Sequence, residues 1–353
     1  MRVAIRVDSA SNIGIGHVMR CLVLAERLSE LGVSITFCCR KHPGNINAKI
    51  LQAGFDLCEM SRQATPELQN YASWLGCSEA DDAQEFLRCV GKNPDFVIVD
   101  HYAIAENWER HVKKNIDKLV VIDDLANRKH CADLLIDQNI WPNQNDRYLP
   151  LVPTNTKLLL GTRYALLRPA FEKLKNSSKK NSIIVFFGGT DVSNECEKVI
   201  RALCTYEELP FEVLIVAGTA FNYDDQDIES LPKSVKVFGV IDDFAEQLAV
   251  SKYAIGACGT SNWERFCLGV NTSLVVVADN QERLANYLSE LGVVTYLGRA
   301  EFLTYQDYIN EFERIIRLWP HIEKNDSIGI EVDGQGVSRI AEEILKLWKK
   351  NVN

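Results

Sequence analysis

Apolar residues fall in short unbroken runs, and these runs alternate with stretches of helical period. Runs at 3–7, 34–39, 96–100, 119–123 and 134–137 are apolar and rich in β-branched side chains. Such runs predict strands covered on both faces. Between them, residues 18–31, 83–90 and 108–115 repeat apolar positions at three- and four-residue spacing, which predicts helices. Strand and helix in alternation with short connections predict a parallel, doubly wound sheet. The pattern breaks at 141–156, which holds three prolines and three asparagines. It resumes with an apolar run at 158–161, strands at 183–187, 211–217, 235–238, 254–257 and 273–278, and helices at 194–203, 243–249, 263–268 and 282–291. The last stretch, 336–350, sets Ile340, Ile344 and Leu347 at helical spacing.

The fold class expected is therefore α/β, with two Rossmann-like parallel-sheet domains facing a cleft. The first spans 1–176 and the second 177–335, the break falling near the Asn/Ser/Lys stretch at 176–182. Ligands of such folds sit at the C-terminal ends of the parallel strands. The length of 353 residues suits two cores rather than one. A formal charge of −9 argues against a nucleic-acid partner, and the basic cluster at 173–180 reads as a solvated linker. Eleven cysteines, none in a Cys-x-x-Cys pair, sit mostly in apolar stretches, as Cys38, Cys39 and Cys258 do. That pattern predicts reduced, buried thiols in a cytoplasmic protein. No signal peptide is visible, and no apolar run approaches the roughly 18 residues of a membrane span.

Chemistry enters at the strand ends. The first strand leads into Asp8 and the loop Ser9 to Gly16, and a helix begins at His17 with Arg20 just inside it. A strand, a Gly-x-Gly loop (Gly14, Gly16) and a helix N-terminus make an anion-binding corner, because unpaired N–H groups and the helix dipole point outward. A binding loop alone has no need of the titratable His17. The run 96–100 delivers Asp100, His101 and Tyr102 at a strand end, where Asp100 can instead cap the next helix and Tyr102 pack. Asp123 and Asp124 repeat the pattern and can orient a histidine, bind a sugar hydroxyl or cap a turn. None of these groups has metal-ligand spacing. In the second half, Gly188-Gly189-Thr190-Asp191 joins a strand to a helix, and Thr190 and Asp191 can cap that helix or bind a ligand. Gly259-Thr260-Ser261-Asn262-Trp263-Glu264 does the same. There, N–H groups suit a diphosphate and Glu264 suits ribose hydroxyls, while a capping box of Ser261 and Glu264 is the competing reading. Asn280 and Gln281 open another helix at that edge and can hydrogen-bond a sugar.

Taken together, Arg6-Val7-Asp8-Ser9, Ile13-Gly14-Ile15-Gly16-His17-Val18-Met19-Arg20, Val99-Asp100-His101-Tyr102, Tyr164-Ala165-Leu166-Leu167-Arg168, Gly188-Gly189-Thr190-Asp191, Ser261-Asn262-Trp263-Glu264 and Asn280-Gln281 resemble the UDP-sugar hydrolases of pseudaminic acid biosynthesis. These are relatives of inverting GT-B glycosyltransferases, notably the peptidoglycan N-acetylglucosaminyltransferase. The resemblance implies hydrolysis of UDP-2,4-diacetamido-2,4,6-trideoxy-β-L-altropyranose to UDP and free sugar with inversion, without metal or cofactor. It implies His17 as general base. Asp8, Gly14, Gly16, Arg20, Asp100, His101, Tyr102 and Arg168 would bind substrate from the first domain. Gly189, Thr190, Asp191, Val240, Ile241, Thr260, Ser261, Asn262, Glu264, Asn280 and Gln281 would bind it from the second. It further implies that the helix at 336–353 returns to the first domain. The partner expected is a UDP-sugar, with no nucleic acid and no membrane span, and the protein is expected to be a monomer. The chain departs from the pattern at Trp263 and Arg265, inside the phosphate-binding segment, and in longer stretches at 45–85 and after Tyr305.

The chemistry agrees with such an assignment. Cleaving a glycosyl–phosphate bond develops positive charge at the anomeric carbon and negative charge on UDP. A base on the attacking water and donors on the diphosphate both help. General-base catalysis contributes roughly 10²–10⁴-fold, so positioning must supply the rest. A helix N-terminus disfavours imidazolium, which suits His17 to the task. The competing readings are a glycosyltransferase of the same fold, a non-enzymatic UDP-sugar sensor, and a UDP-N-acetylglucosamine 2-epimerase, whose motif order matches less well.

Overall fold

The computed structural model describes residues 1–61, 71–91, 94–220, 228–323 and 330–352. Seven strands, β1 (Arg2–Val7), β2 (Ser34–Arg40), β3 (Asp56–Met60), β4 (Phe96–Asp100), β5 (Lys118–Ile122), β6 (Leu134–Asp137) and β7 (Lys157–Leu160), form one parallel sheet in the order β3-β2-β1-β4-β5-β6-β7. Six more, β8 (Lys180–Phe186), β9 (Glu212–Val216), β10 (Val235–Phe238), β11 (Ser251–Ala257), β12 (Asn271–Val276) and β13 (Thr295–Arg299), form a second parallel sheet in the order β10-β9-β8-β11-β12-β13. The α/β class with two parallel sheets is as expected. In both sheets the strand order reverses beside the first strand, at β1/β4 and at β8/β11. A crevice opens at such a reversal, outside the carboxyl ends of the strands.

The central strands of the first sheet, β1, β4, β5 and β6, are buried on both faces, which is why they lack polar alternation. Ile5, Val7 and Ile98 pack with Val18, Leu24 and Leu28 of the helix Gly16–Glu30 and with Ile340 and Ile344 of the helix Gly336–Val352. Ala4, Val97 and Val99 face the other way, onto Phe86 and Trp108. Each such aliphatic side chain contributes about 1.5–3 kcal/mol on burial. Arg6 lies on this second face, wholly buried, and its Nη1 and Nη2 donate to Asp8 at 2.6 Å and Asp82 at 2.7 Å.

The chain divides into Met1–Arg168 with Gly334–Asn353, and Pro169–Asp333. The divisions fall at 168/169 and 333/334, where the sequence pattern sets them at 176/177 and 335/336. The reason is local: residues Pro169–Leu174 form a helix that packs on the helices Phe244–Val250 and Ser261–Cys267 of the second unit.

The expectation of reduced cysteines throughout is corrected at one pair. Cys58 on β3 and Cys89 in the helix Glu79–Val90 are joined as a disulfide, with Cα atoms 5.9 Å apart. The strand β3 is absent from the sequence pattern, so nothing there brings the two together. Among the described residues no helix is long and apolar enough to cross a membrane.

Candidate functional site

The first unit gathers two of the expected residues, His17 and Arg20, around the carboxylate of a third, Asp100. Asp100 ends β4, beside Val7 at the end of β1. It is completely buried. Arg20 donates to both its oxygens, from Nε to Oδ2 and from Nη2 to Oδ1, each at 2.6 Å. His17 Nδ1 stands 2.6 Å from Oδ1, and the Cys21 thiol reaches Oδ2 at 3.6 Å. Burial alone would raise the Asp100 pKa. The Arg20 charge, and after it His17, reverse that and hold the carboxyl well below its usual range. An ionised carboxylate only accepts, so the 2.6 Å contact assigns a hydrogen to Nδ1 of His17; Arg20 Nη2, a donor 3.2 Å from the same Nδ1, donates instead to Asp100 Oδ1 at 2.6 Å, and Nε2 is left as the second ring position. Nε2 makes no hydrogen bond among the described residues, and the side chain keeps 11% exposure.

Sequence spacing explains part of this cluster. His17 and Arg20 lie three apart, one turn along the helix, so both face the same strand end. Gly14 adopts φ +81 and its N–H bonds the Ala10 carbonyl at 2.8 Å, closing the loop that aims the helix. Ile15, the residue before the helix, gives no side-chain cap, and the first turn holds no acidic residue. Tyr102 donates its hydroxyl to Asp124 Oδ1 at 2.6 Å, and Arg20 Nη1 donates to Asp124 Oδ2 at 3.0 Å. The Tyr102 ring meets that of His17 edge-on, at 4.6 Å between centroids. Trp74 stacks on Tyr102 at 5.5 Å, and Tyr71 packs on both.

Other expected residues lie elsewhere. Asp8 and His101 belong to a second buried network. Asp8 takes bonds from Arg6 and from the Arg40 N–H at 2.6 Å, and His101 Nε2 stands 3.2 Å from it. Burial would raise the Asp8 pKa and Arg6 overrides this, while burial holds that of His101 down. Asp100 does not cap the following helix; the Glu79 carboxylate takes the Ala105 and Trp108 N–H groups there. The Asp123/Asp124 pair divides its tasks. Asp123 holds the turn through Ala126 N and Arg128, and Asp124 serves Arg20 and Tyr102. Gly16 is exposed, and Arg168 ends the unit close enough to act on the charge of Glu26.

In the second unit the expected residues sit on loops and in the first turns of helices at the C-terminal edge of the sheet. The Gly189 carbonyl accepts from Thr219 N at 2.9 Å, and the Gly239 carbonyl accepts from Gly218 N at 2.9 Å, so the loops after β8, β9 and β10 are tied together. A Cβ on Gly218 would stand 2.3 Å from the Gly189 carbonyl oxygen, which restricts that position to glycine. Thr190 is half-buried beside them, and Val240 and Ile241 follow, Val240 being exposed. Asp191 caps the helix Glu195–Leu203 through the Glu195 and Cys196 N–H groups. The Ser261–Glu264 capping box is not formed. The helix starts at Ser261 with Thr260 before it, which puts Glu264 one position too far along. Asn262 is wholly buried, bonded to Cys258 Sγ at 3.2 Å and to Arg265. Asn280 and Gln281 lie in the first turn of the helix Asp279–Glu290. Gln281 accepts from Val277 N at 3.0 Å, with its amide nitrogen 3.9 Å from the Cβ position of Gly259.

The site residues outside the sequence reading are Trp74, Tyr71 and the full role of Asp124. The one signal available is the Tyr71/Trp74 spacing in an otherwise unpatterned stretch. Among the described residues no group of three or more His, Cys, Asp or Glu is set to hold a metal ion.

The two reversed-order sheets define a GT-B-like fold. The crystal structure of Acinetobacter baumannii MurG superposes with a TM-score of 0.65, covering 98% of this chain and 99% of that one at 14% identity. No family model matches the chain. The resemblance read from the motifs extends along the chain. It is 27% identical over 299 residues to the UDP-2,4-diacetamido-2,4,6-trideoxy-beta-L-altropyranose hydrolase of Campylobacter jejuni, across 83% of this chain and 97% of that protein. It is 26% identical to the uncharacterized protein MJ1062 of Methanocaldococcus jannaschii over 80% of this chain, but spans only 56% of that longer protein.

Proposed function

We propose that the protein hydrolyses a UDP-linked 2,4-diacetamido-2,4,6-trideoxyhexose, releasing UDP and the free sugar. One observation carries this reading: His17 is held through Nδ1 on an ionised, buried Asp100 while Nε2 makes no hydrogen bond among the described residues. A carboxylate that fixes the Nδ1–H tautomer leaves the Nε2 lone pair to take a proton. In the proposed step the water oxygen bonds the anomeric carbon, its proton passes to Nε2, and the carbon–oxygen bond to the diphosphate breaks with inversion. Asp100 stays ionised and stabilises the imidazolium that forms. Arg20, itself held by Asp124, fixes Asp100 in place, and the rings of Tyr102 and Trp74 shield the imidazole. The second unit would hold UDP, with the diphosphate at Thr260 and Ser261 and the ribose at Glu264. The likeness to the C. jejuni hydrolase supports the choice of sugar.

The test is proton NMR of the protein with UDP-2,4-diacetamido-2,4,6-trideoxy-β-L-altropyranose in water, beside His17→Asn. Free sugar of inverted anomeric configuration from wild type, and turnover at least about a hundredfold slower from the variant with unchanged UDP affinity, is expected. Turnover only when an acceptor alcohol is added would replace hydrolysis with glycosyl transfer. Equal loss of turnover and UDP binding in the variant would remove His17 from the role of base.

A further inference from the structure

Four arginines are buried among the described residues. Three of them meet carboxylates: Arg6 meets Asp8 and Asp82, Arg20 meets Asp100 and Asp124, and Arg40 meets Asp82 and Glu85. Arg265, at 3% exposure, meets none among the described residues. Its Nη2 donates to the Ala257 carbonyl at 2.6 Å, reaches Ser261 Oγ at 3.5 Å and bonds the Asn262 amide oxygen. All three acceptors are neutral, and Nε has no hydrogen-bond partner among the described residues. The backbone makes room for this side chain. A Cβ on Gly256 would stand 2.4 Å from Arg265 Nη1 and 2.2 Å from the Phe186 carbonyl oxygen. Burial pulls the guanidinium pKa down to about 10, with Cys258 and Glu264 opposing it only in part. A buried cation without an anion is costly, and the fold keeps one here against the practice of its other three sites.

We propose that Arg265 is a resident counter-charge for the nucleotide's diphosphate, held beneath the turn at 258–260 and left without a carboxylate so that the ligand's phosphates complete the pair. It acts through Asn262, Ser261 and the Ala257 carbonyl rather than by touching the ligand, and is therefore a positioning residue. The inference rests on the proposed reading of this turn as the diphosphate site. Its consequence is specific: Arg265 should matter to the phosphates and not to the nucleoside.

Titration calorimetry of UDP and uridine against wild type, Arg265→Lys and Arg265→Met tests it. Arg265→Met should lose at least tenfold in UDP affinity with uridine affinity within twofold of wild type, and Arg265→Lys should recover most of the loss. A carboxylate supplied from within should act the same way. Asn262→Asp, placed against Nη2, should raise the melting temperature of the free protein and weaken UDP relative to uridine, which keeps the idea testable should Arg265→Met not fold. Equal losses for UDP and uridine, or UDP affinity unchanged in Arg265→Met or in Asn262→Asp, would overturn the role of Arg265 alone. Wild type that binds no UDP would overturn the nucleotide site and this role with it.

Discussion

Replacing Asp100 with asparagine removes a charge with almost no change of shape, and the geometry sets the consequences. In the native site the carboxylate accepts from Arg20 twice, from His17 Nδ1 and from Cys21. An asparagine amide accepts through one oxygen only. Either orientation sets its NH₂ against an Arg20 N–H; the one that keeps Arg20 Nε and Cys21 puts the NH₂ against Arg20 Nη2 and His17 Nδ1, and the ring can meet it only by moving its hydrogen to Nε2. In that orientation the proposed base is lost, and turnover should fall by the general-base contribution of roughly 10²–10⁴, or about 3–5 kcal/mol of transition-state stabilisation. Stability should fall too. Breaking one side of a buried pair costs about 3 kcal/mol at the lower end, and Arg20 still keeps Asp124 at 3.0 Å. UDP release by a coupled assay gives kcat, calorimetry gives UDP affinity, and urea unfolding gives stability. The Asp100 pKa is depressed, so its stabilisation is full above the unfolded carboxylate value of about 4 and is lost as pH falls below it. The stability gap between wild type and variant should therefore close in acid. A kcat within threefold of wild type, in a folded variant, would refute the reasoning.

Three further outcomes rest on other parts of the molecule. Glu264→Ala should weaken UDP binding about tenfold and leave kcat within threefold at saturation; unchanged UDP affinity would confine Glu264 to the helix. Burial, with Asp124 next in effect, pushes the Asp137 carboxyl up to about 8, so the folded state holds a proton that the unfolded chain releases near pH 4. Wild-type stability relative to Asp137→Asn should therefore drop by about 1.4 kcal/mol per pH unit between about pH 5 and 7.5 and level off above about pH 8, as urea midpoints would show; parallel profiles would count against it. Reducing the Cys58–Cys89 bond, which closes a span of 31 residues, should lower unfolding free energy by roughly 3–4 kcal/mol, and a reduced protein of equal stability would contradict that.

The central strands are legible in the sequence because both their faces are covered, which leaves no polar position to interrupt the run. The edge strand β10 is read at 235–238, but the edge strands β3 and β13 are not. In β3, Asp56 and Glu59 interrupt the apolar positions, and every residue of β13 is half-buried. An edge strand needs only one neighbour, so its apolar demand can be too weak to read. With β3 hidden, the pairing of Cys58 with Cys89 is hidden too. Local capping cues point to the wrong place. Ser261 and Glu264 have the spacing of a capping box, but the box that forms is Thr304 with Asp307, ahead of the helix Tyr305–Leu318. A three-residue spacing says nothing of where the first turn begins, and tertiary packing of Trp263 and Phe266 sets that.

The candidate site divides along the same line. Residues delivered by strand ends and by the helix after β1 can be named, because the parallel topology fixes which ends meet at the β1/β4 reversal. Which carboxylate serves which cation cannot be, because pairing depends on side-chain reach across elements far apart in the chain: Arg20 to Asp124, Arg6 to Asp82. The pairings carry the functional contrast. A general base, the role proposed for His17, must be held in one tautomer and one orientation before the substrate arrives, and the charged groups around His17 are paired in advance. An anion site has the opposite need. Its cation must lack a counter-charge until the ligand comes, at some cost to the free protein, and that is the role proposed for Arg265, which at the equivalent reversal of the second sheet hydrogen-bonds only neutral acceptors among the described residues. The same strand order thus sets at its switch point a completed charge network in one unit and an incomplete one in the other.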